Sequence, residues 1–312
     1  MAKYLVTGGA GFIGSNIVHR LVANRESVVV LDNLSTGKLD NLETILGKIQ
    51  FINGDICDLA TLQKACKGVN FVLHQAALRA VGRSIDVPLE ANQTNITGTL
   101  NVLIAARDAK VKRLIYASSS SVYGEVEGSD NVETLPTSPE SPYALTKLTG
   151  EHYCRLFSKL YGLETASLRY FNVFGPRQNL ESKYSAVIPI FVHQLLNGET
   201  TEIHWDGDQS RDFTYIDNVV QANIKAATSQ GTLPGEAYNI GNGENITINE
   251  LYALLQKLLG THLKPKYAPK RAGDIYRTQA NITKGKKDFS YEPTISFAEG
   301  LKVAVAWYKD NL

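Results

Sequence analysis

The chain has 312 residues and a formal net charge of +1, with 43% hydrophobic and 20% charged residues. This composition is ordinary for a globular protein and favours one large domain or two intertwined ones. It gives no reason to expect a nucleic-acid or membrane partner, and no apolar run is long enough to span a bilayer. The spacing of the three cysteines suits neither a zinc site nor a disulfide framework, so we expect no metal and a reducing cytoplasm. Because the start MAKYLVTGG enters a strand pattern at once, we expect no signal peptide.

The first half of the chain alternates strand patterns with helix patterns. Five short β-rich runs are bounded by turn residues: KYLVTG, SVVVLD, IQFINGD, NFVLHQ and RLIYASS. Helical patterns lie between them, among them GSNIVHRLVAN and TGTLNVLIAARDAK. This alternation predicts βαβ units and a parallel sheet, and the nearly continuous apolar strands predict that both faces of the sheet are covered.

A glycine-rich turn separates the first strand from the first helix. The segment VTGGAGFIGS places Gly8, Gly11 and Gly14 where a tight turn, a close approach of backbone to a pyrophosphate and helix–strand packing need them. The helix N-terminus offers N–H groups to the phosphates. Asp32 ends the second strand, at the distance expected for a carboxylate that accepts from the adenosine ribose and repels a 2′-phosphate. The pattern therefore predicts NAD rather than NADP, and a glycine-rich turn in a flavodoxin-like domain is the alternative.

Two further strand ends carry candidate cofactor contacts. Asp55 in GDICD lies at the edge where such sheets bind ligands, and either meets an adenine amino group or closes a turn. Ala76 and Ala77 in HQAA are small, so they either let a cofactor pass or simply pack.

Serines and a Tyr–Lys pair follow. ASSSSVYG ends the fifth strand at the same edge, where a serine can bind a substrate oxygen or form a plain loop. In SPYALTK, Ser141 and Pro142 suit the start of a helix, and Tyr143 and Lys147 share one face of it. A neighbouring ammonium and a positive nicotinamide ring would lower the pKa of Tyr143 from about 10 toward neutrality. A surface pair is the alternative for YxxxK alone, but the combination with the glycines and the serines favours proton chemistry on an alcohol.

The pattern loosens after ETASLRYFNVFG. A helix is predicted around AVIPIFVHQLLNG, a buried strand in EAYNIGNG, and amphipathic helices in TINELYALLQKLLG and SFAEGLKVAVAWYK. We place the boundary near Asn172. Residues 1–172 with about 214–243 would form the NAD-binding domain, and 173–213 with 244–312 a discontinuous second domain.

The chain resembles the extended short-chain dehydrogenase/reductases, and among them the nucleotide-sugar 4-epimerases. The resemblance covers nearly the full length and is carried by TGGAGFIGS, LDNLSTG, GDICD, HQAAL, NITGTLNVL, SSSSVYG, SPYALTK, LRYFNVFGPRQ, SRDFTYIDNVV, YNIGNG and RAGD. It implies an α/β fold, with a Rossmann-type doubly wound parallel sheet and a smaller α/β C-terminal domain that binds a UDP-sugar.

The resemblance also implies the site residues. Ser119, Tyr143 and Lys147 would be catalytic. The NAD site would comprise Gly8, Gly11, Phe12, Ile13, Gly14, Asp32, Asn33, Thr36, Asp55, Ile56, Gln75, Ala76, Ala77, Arg79, Asn95, Tyr143, Lys147 and Phe171. The substrate site would comprise Ser121, Tyr143, Asn172, Ala186, Val187, Ile203, Arg211, Arg271, Asp274 and Thr278, with Arg211 and Arg271 on the diphosphate and Asp274 on the uridine ribose.

The implied reaction inverts C4 of a UDP-sugar through a 4-keto intermediate with tightly bound NAD. Small Thr278 and Ala186 favour N-acetylated sugars, whereas Arg79 is typical of the plain glucose type, so we expect UDP-GlcNAc/UDP-GalNAc together with UDP-Glc/UDP-Gal. A strict UDP-glucose 4-epimerase, a UDP-glucuronate 4-epimerase, a decarboxylase, a reductase and a non-catalytic NAD-binding protein are the alternatives. A 4,6-dehydratase is disfavoured because Ser120 and Ser121 stand where those enzymes carry an acidic pair. The family further implies a homodimer through a four-helix bundle and a role in nucleotide-sugar metabolism and polysaccharide biosynthesis.

Overall fold

A parallel sheet forms the centre of the molecule in the computed structural model, which describes residues 1–79, 81–126, 130–178, 186–270 and 275–311. The strands are β1 (Lys3–Thr7), β2 (Ser27–Asp32), β3 (Gln50–Asn53), β4 (Phe71–His74), β5 (Arg113–Ser119), β6 (Glu164–Tyr170), β7 (Val173–Phe174), β8 (Glu202–His204), β9 (Ser210–Arg211), β10 (Thr214–Tyr215), β11 (Pro234–Ile240), β12 (Ile246–Thr247) and β13 (Lys266–Ala268). Seven of them form the central sheet in the order β11-β6-β5-β4-β1-β2-β3, with every neighbouring pair parallel. The alternating pattern predicted a parallel sheet, and the family resemblance implied this doubly wound arrangement; both are confirmed.

Helices cover both faces of this sheet. They are α1 (Phe12–Ala23), α2 (Leu59–Ala65), α3 (Val81–Asp86), α4 (Pro88–Asn92), α5 (Thr99–Asp108), α6 (Pro142–Tyr161), α7 (Val187–Leu196), α8 (Ile216–Thr228), α9 (Ile248–Leu259), α10 (Thr283–Phe289) and α11 (Phe297–Asn311). Two 3₁₀ segments, Leu39–Lys48 and Ser120–Tyr123, and a π-helical turn, Gln93–Gly98, complete the regular structure. Within the described ranges, none of the helices combines the length and the apolar character that crossing a bilayer requires.

Successive strand residues enter two different apolar cores. Tyr4 and Val6 pack with the cluster that also contains α1 and α8, whereas Leu5 packs with the cluster on the opposite face. The period of two along a strand explains this division. The prediction that both faces of the sheet are covered is therefore confirmed.

The second half adds short strand pairs beyond the central sheet. β7 pairs with β10, β9 with β12 and β8 with β13. The predicted strand in EAYNIGNG is β11, which joins the edge of the central sheet beside β6. The division into 1–172 with 214–243 and 173–213 with 244–312 stays a prediction.

A buried ion pair joins the amino-terminal ends of β5 and β6. Arg113, 1% exposed, donates through Nε to Glu164 Oε2 at 2.8 Å, and the two residues lie opposite each other in the strand register. Its Nη1 also donates to the carbonyl of Ala226 at 2.7 Å, near the end of α8. A carboxylate and a backbone carbonyl therefore accept hydrogen bonds from the guanidinium group, as the burial of a charge requires. This end of the sheet lies opposite the edge that carries the site.

Candidate active site

The glycine turn predicted from the sequence brings the ends of β1 and β4 into close contact. Gly8 has φ +67°, and a Cβ there would lie 2.6 Å from the backbone nitrogen of Ala76. A Cβ on Gly14 would lie 2.1 Å from the carbonyl oxygen of Gly8. No side chain caps α1, which begins directly after Gly11. The first turn of this helix therefore presents its backbone N–H groups, and the positive end of its dipole, to an anionic group.

Asp32 is held at the end of β2 by backbone donors. Its Oδ2 accepts from Ala10 N at 2.9 Å and its Oδ1 from Leu34 N at 2.8 Å. Burial raises the pKa of this carboxyl group, and the two backbone hydrogen bonds oppose the rise. Asp32 also lines the cleft described below, and its carboxylate oxygens can accept further hydrogen bonds there.

Asp55 lies at the end of β3, next to Asn33. Asn33 Nδ2 donates to Asp55 Oδ2 at 2.9 Å, and Cys57 N donates to Oδ1 at 2.7 Å. Partial burial raises the pKa of Asp55, but these hydrogen bonds outweigh it and hold the pKa below its ordinary value. Both sequence interpretations are thus compatible, because the carboxylate orders its own turn and also lines the cleft.

The Tyr–Lys pair lies on α6 as predicted. Ser141 Oγ accepts from Ala144 N at 3.2 Å and Pro142 occupies the first turn, so the helix begins where the sequence indicated. Lys147 is 4% exposed, and its Nζ donates to the carbonyl of Ala117 in β5 at 2.7 Å. Nζ lies 5.8 Å from the centre of the Tyr143 ring.

The electrostatics of the pair differ from the prediction. Burial raises the pKa of Tyr143, while a hydrogen bond with Ser119 and the charge of Arg79 act in the opposite direction. Burial lowers the pKa of Lys147 to about 7. We expected the neighbouring ammonium to bring the pKa of Tyr143 toward neutrality. With the side chains of the protein alone, this expectation is wrong, because the pKa is raised. Desolvation disfavours both charged forms and is the larger effect.

Ser119 is ordered by its neighbours at the end of β5. Its Oγ accepts from Ser121 N at 3.2 Å and from Ser121 Oγ at 2.9 Å, so it caps the short 3₁₀ turn that follows. Both hydroxyls therefore face the same edge of the sheet as Tyr143.

A third group of residues closes the cleft from the second half of the chain. Asn172 Nδ2 donates to the Asp212 carbonyl at 3.3 Å and lies 3.5 Å from Thr278 Oγ1. Arg211 Nη1 donates to the Ser210 carbonyl at 2.9 Å. These contacts place an amide, a guanidinium and a small hydroxyl side chain opposite the serines.

One cleft of about 880 Å³ collects most of the predicted residues. It is lined by Gly8, Gly11, Phe12, Ile13, Gly14, Asp32, Asn33, Thr36, Asp55, Ile56, Gln75, Ala76, Ala77, Arg79, Ser119, Ser120, Ser121, Tyr143, Lys147, Asn172, Ala186, Arg211 and Thr278. An adjoining chamber of about 290 Å³ shares Asn172, Ala186 and Arg211 with it and is lined by Val187. The cleft thus runs from the glycine turn past Tyr143 to the second half of the chain.

Three predicted residues do not line either cavity. Asn95 is buried, where its Oδ1 accepts from Leu78 N at 2.7 Å, so it supports the cleft wall from behind. Phe171 is fully buried in a small apolar cluster with Tyr123, and Ile203 belongs to the main core. Packing takes these side chains away from the cleft.

Two predicted substrate residues, Arg271 and Asp274, lie outside the described residues. Their assignment to the diphosphate and the uridine ribose stays a prediction.

The sequence analysis missed two basic residues of the cleft. Lys38 follows β2, and Arg177 lies near the glycine turn, where its Nη1 donates to Asn16 Oδ1 in α1 at 2.8 Å. Arg177 lies near the end of the motif LRYFNVFGPRQ, in which only Phe171 and Asn172 were predicted as site residues. Trp307 and Asn311 also reach the cleft from α11, and only the fold brings them there.

Known proteins share this arrangement. Residues 4–241 match the model of the NAD-dependent epimerase/dehydratase family. The chain belongs to this family. Over 98% of both chains it is 39% identical to a putative UDP-glucose 4-epimerase of Methanocaldococcus jannaschii. Its resemblance to the epimerases of the short-chain dehydrogenase/reductase type is thereby confirmed.

Two solved structures are similar over nearly the whole chain. One is the UDP-N-acetylglucosamine 4-epimerase from Methanobrevibacter ruminantium in complex with UDP-N-acetylmuramic acid, with 40% identity, a TM-score of 0.95 and coverage of 100% of this chain and 99% of that chain. The other is the Thermus thermophilus UDP-glucose 4-epimerase in complex with NAD, with 35% identity, a TM-score of 0.89 and coverage of 99% and 100%.

The cofactor of this family member is NAD, and the residues present fit it. The cradle formed by Gly8 and Gly14 has no room for a Cβ, so backbone can approach a pyrophosphate closely there. Asp32 lines the same cleft at the end of β2, and its negative charge would disfavour a 2′-phosphate there. The prediction of an NAD-dependent enzyme is confirmed.

We expect Gly14→Ala to lower the affinity for NAD by roughly tenfold or more, because overpacking against backbone costs about 1–3 kcal/mol. The matched control is Gly47→Ala, since no atom lies within 4 Å of a Cβ built there. NAD titrated into cofactor-free protein gives both affinities. Equal affinities in the two variants would contradict the assigned cradle.

Proposed function

We propose that this family member is a UDP-sugar 4-epimerase, an isomerase that inverts C4 through a 4-keto intermediate. The observation that carries the proposal is the continuity of one cleft. It joins the NAD-binding glycine turn to Ser119, Tyr143 and Lys147 and continues to Arg211. The names of the similar proteins, which are 4-epimerases of UDP-sugars, support the same reaction.

Each residue has a defined part in this reaction. Tyr143 Oη takes the proton of the 4-hydroxyl group and later returns it, while the Ser119 hydroxyl holds the sugar oxygen. Lys147 donates to the Ala117 carbonyl and lies beside the phenol, on the side of the cleft that would bind the cofactor. NAD, when bound in this cleft, would supply the hydride acceptor and donor for C4. Arg211 would hold the diphosphate, so that the loosely held 4-keto sugar can turn and present its other face to the nicotinamide side of the cleft.

A 4,6-dehydratase is less well supported. Elimination of water after oxidation at C4 needs an acid and a base beside the sugar. Ser120 and Ser121 occupy that part of the cleft, and among the described residues that line the main cleft the carboxylates are Asp32 and Asp55, both at strand ends on the adenosine side. The site therefore favours retention of the 6-hydroxyl group and epimerisation.

We expect Tyr143→Phe to lower kcat by roughly 10²- to 10⁴-fold, because it removes the proton acceptor. NAD content should stay unchanged, since the glycine turn and Asp32 bind the cofactor. Tyr153→Phe, a change of the same kind on the same helix, is the control and should keep full activity. Analysis of the sugars formed from UDP-glucose and UDP-GlcNAc, without added NAD, measures turnover. Activity of Tyr143→Phe equal to that of the control would refute the assigned role.

The substrate range is proposed from the residues that line the end of the cleft assigned to the sugar. Thr278 and Ala186 both line the cleft and are small, and Thr278 lies next to Asn172. A small wall leaves room for an acetamido group at C2. We therefore propose that UDP-GlcNAc and UDP-GalNAc are interconverted, alongside UDP-glucose and UDP-galactose. The 40% identity with a UDP-N-acetylglucosamine 4-epimerase points in the same direction.

Thr278→Tyr is expected to lower kcat/KM for UDP-GlcNAc roughly 10- to 100-fold more than for UDP-glucose, because the larger ring fills the space of the acetamido group. Thr228→Tyr makes the same change at an exposed position outside the cleft and should leave the ratio unaltered. UDP-glucuronate is the third substrate to compare. The proposed substrate range would be refuted if the unmutated protein did not convert UDP-GlcNAc. Conversion of UDP-glucuronate alone would instead identify a UDP-glucuronate 4-epimerase.

We also propose a homodimer through α5 and α6. One stripe of α6 carries Leu145, Leu156 and Leu160, which are 54%, 47% and 63% exposed, while the opposite face packs on the sheet. Half-buried Leu100 and Ile104 on α5 lie one helical turn apart. Two copies of this helix pair would bury the stripe in a four-helix bundle. A cytoplasmic location remains a prediction from the cysteine pattern.

We expect the unmutated protein to sediment as a dimer and the double variant Leu156→Glu/Leu160→Glu to sediment as a monomer, because charges in the bundle would be buried without partners. Val303→Glu, at a 50% exposed apolar position on α11, is the control and should remain a dimer. Analytical ultracentrifugation gives the three masses. A monomeric unmutated protein, or a dimeric double variant, would contradict the proposal.

A further inference from the structure

A buried carboxylate on α6 has no part in the reaction described above. Glu151 is 7% exposed, and its Oε1 accepts from Ser118 Oγ at 2.5 Å. Arg169 in β6 donates to both carboxylate oxygens, through Nε at 2.9 Å and Nη2 at 2.7 Å. Ser118 and Arg169 lie opposite each other in the register of β5 and β6. Glu151 therefore joins the helix to the two neighbouring strands at once.

Ser118 lies between the two strand residues that contact the Tyr–Lys pair. On one side, the Ala117 carbonyl accepts from Lys147. On the other side, Ser119 faces Tyr143, and its side chain acts to lower the pKa of the phenol. Three consecutive residues of β5 thus meet three residues of α6, which are spaced by four and share one face of the helix.

We propose that Glu151 is a positioning residue that acts through Ser118 and fixes the end of β5, so that the Ser119 hydroxyl and the Ala117 carbonyl stay aligned with α6. The inference rests on the proposed epimerase activity for its kinetic test. Ser118 lies between Ala117 and Ser119, and its hydroxyl group is held by Glu151. This contact leaves the end of β5 little freedom to rotate about the strand axis. Small displacements of such groups are costly, because a shift of about 1 Å in reacting geometry can lower a rate by on the order of 10²-fold.

The alternative is that the ion pair only stabilises the fold, and the chain contains a matched control for it. Arg113 and Glu164 form an ion pair between the same two strands, at the opposite end of the sheet from the cleft. Both pairs link an arginine in a strand to a glutamate across a short distance, and in both the arginine is buried. The Glu164 side chain is more exposed than that of Glu151, at 29% against 8%, so a purely structural role predicts some loss of stability in both variants and no selective loss of kcat in Glu151→Gln.

The kinetic experiment compares Glu151→Gln and Ser118→Ala with Glu164→Gln. We expect kcat to fall roughly 10- to 100-fold in the first two, with KM for the UDP-sugar and NAD content unchanged. Glu164→Gln should keep kcat within about twofold at a comparable loss of melting temperature, because it lies far from the cleft. Ser118→Ala leaves the ion pair with Arg169 intact, so it reports on positioning even if Glu151→Gln folds poorly. Equal effects of Glu151→Gln and Glu164→Gln on kcat would overturn the proposal, as would full activity of Ser118→Ala.

A double variant tests whether the two residues act as one unit. If Glu151 acts through Ser118, the double variant Glu151→Gln/Ser118→Ala should lose little more kcat than the stronger single variant. Multiplication of the two single effects would show that they act independently and would contradict the proposed route.

A spectroscopic measurement separates this inference from the proposed function, because it needs no substrate. The phenolate absorbance is measured as a function of pH in the unmutated protein, in Ser118→Ala and in Glu151→Gln. The same curve for each protein with the additional change Tyr143→Phe is subtracted, and the difference is the titration of Tyr143. The titratable side chains that face this phenol among the described residues are Arg79, Lys147, Tyr116 and Tyr170, and all four are unchanged throughout. We expect the titration to move to higher pH in Ser118→Ala and Glu151→Gln, since the Ser119 hydrogen bond that lowers the pKa is weakened.

The sign of this shift is decisive. Removal of the negative charge of Glu151 would by itself move the titration to lower pH, so a rise reports geometry rather than charge. An unchanged titration in Ser118→Ala would overturn the positioning role. If the unmutated protein epimerises no UDP-sugar but the titration still rises in both variants, the proposed function fails and the positioning role stands.

Discussion

The close packing of α6 against β5 is the constraint on which the site depends. A Cβ on Gly150 would lie 2.3 Å from the hydroxyl oxygen of Tyr116, so the absence of a side chain lets the helix approach the strand. At this separation Lys147 Nζ reaches the Ala117 carbonyl. Tyr143, one helical turn earlier, is thereby carried to the carboxyl edge of the sheet, where parallel α/β folds bind their ligands.

The same packing sets the electrostatic character of the pair. Burial against the sheet raises the pKa of Tyr143 and lowers that of Lys147, so the protein interior disfavours both charged forms. Ser119 and Arg79 act against this effect on the phenol. The pKa of Tyr143 is therefore set by a balance between desolvation and the opposing effects of Ser119, at the end of β5, and of the Arg79 charge.

The two halves of the cleft are built differently. The cofactor half is formed by ends of adjacent parallel strands, whose spacing is set by the hydrogen bonds of the sheet, and by a glycine turn with no room for side chains. The substrate half is formed by short strand pairs and loops, in which Asn172 and Thr278 approach each other at 3.5 Å. Substitutions in this half would change the wall of the cleft without disturbing the sheet, and the similar proteins are named for several different nucleotide sugars.

The sequence alone was sufficient for the local features. Alternating patterns predicted the parallel sheet, the glycine spacing predicted the turn before α1, and SPYALTK predicted the start of α6, because each depends on residues close together in the chain. The family, NAD and most of the residues that line the cleft followed from the motifs. Side chains that reach their positions by packing were not predictable in this way.

Tertiary structure decided which side chains face the cleft and what charge state their surroundings favour. Asn95 and Phe171 lie within the motifs NITGTLNVL and LRYFNVFGPRQ, yet the fold buries both behind the cleft. The contact of Glu151 with Ser118 joins residues 33 positions apart, and no spacing rule connects them. The pKa of Tyr143 was misjudged from its neighbour at i+4, because the larger effect is burial by the strand against which the helix packs. Local spacing determines which residues share a face, whereas only the packed chain determines what that face meets and how much water remains.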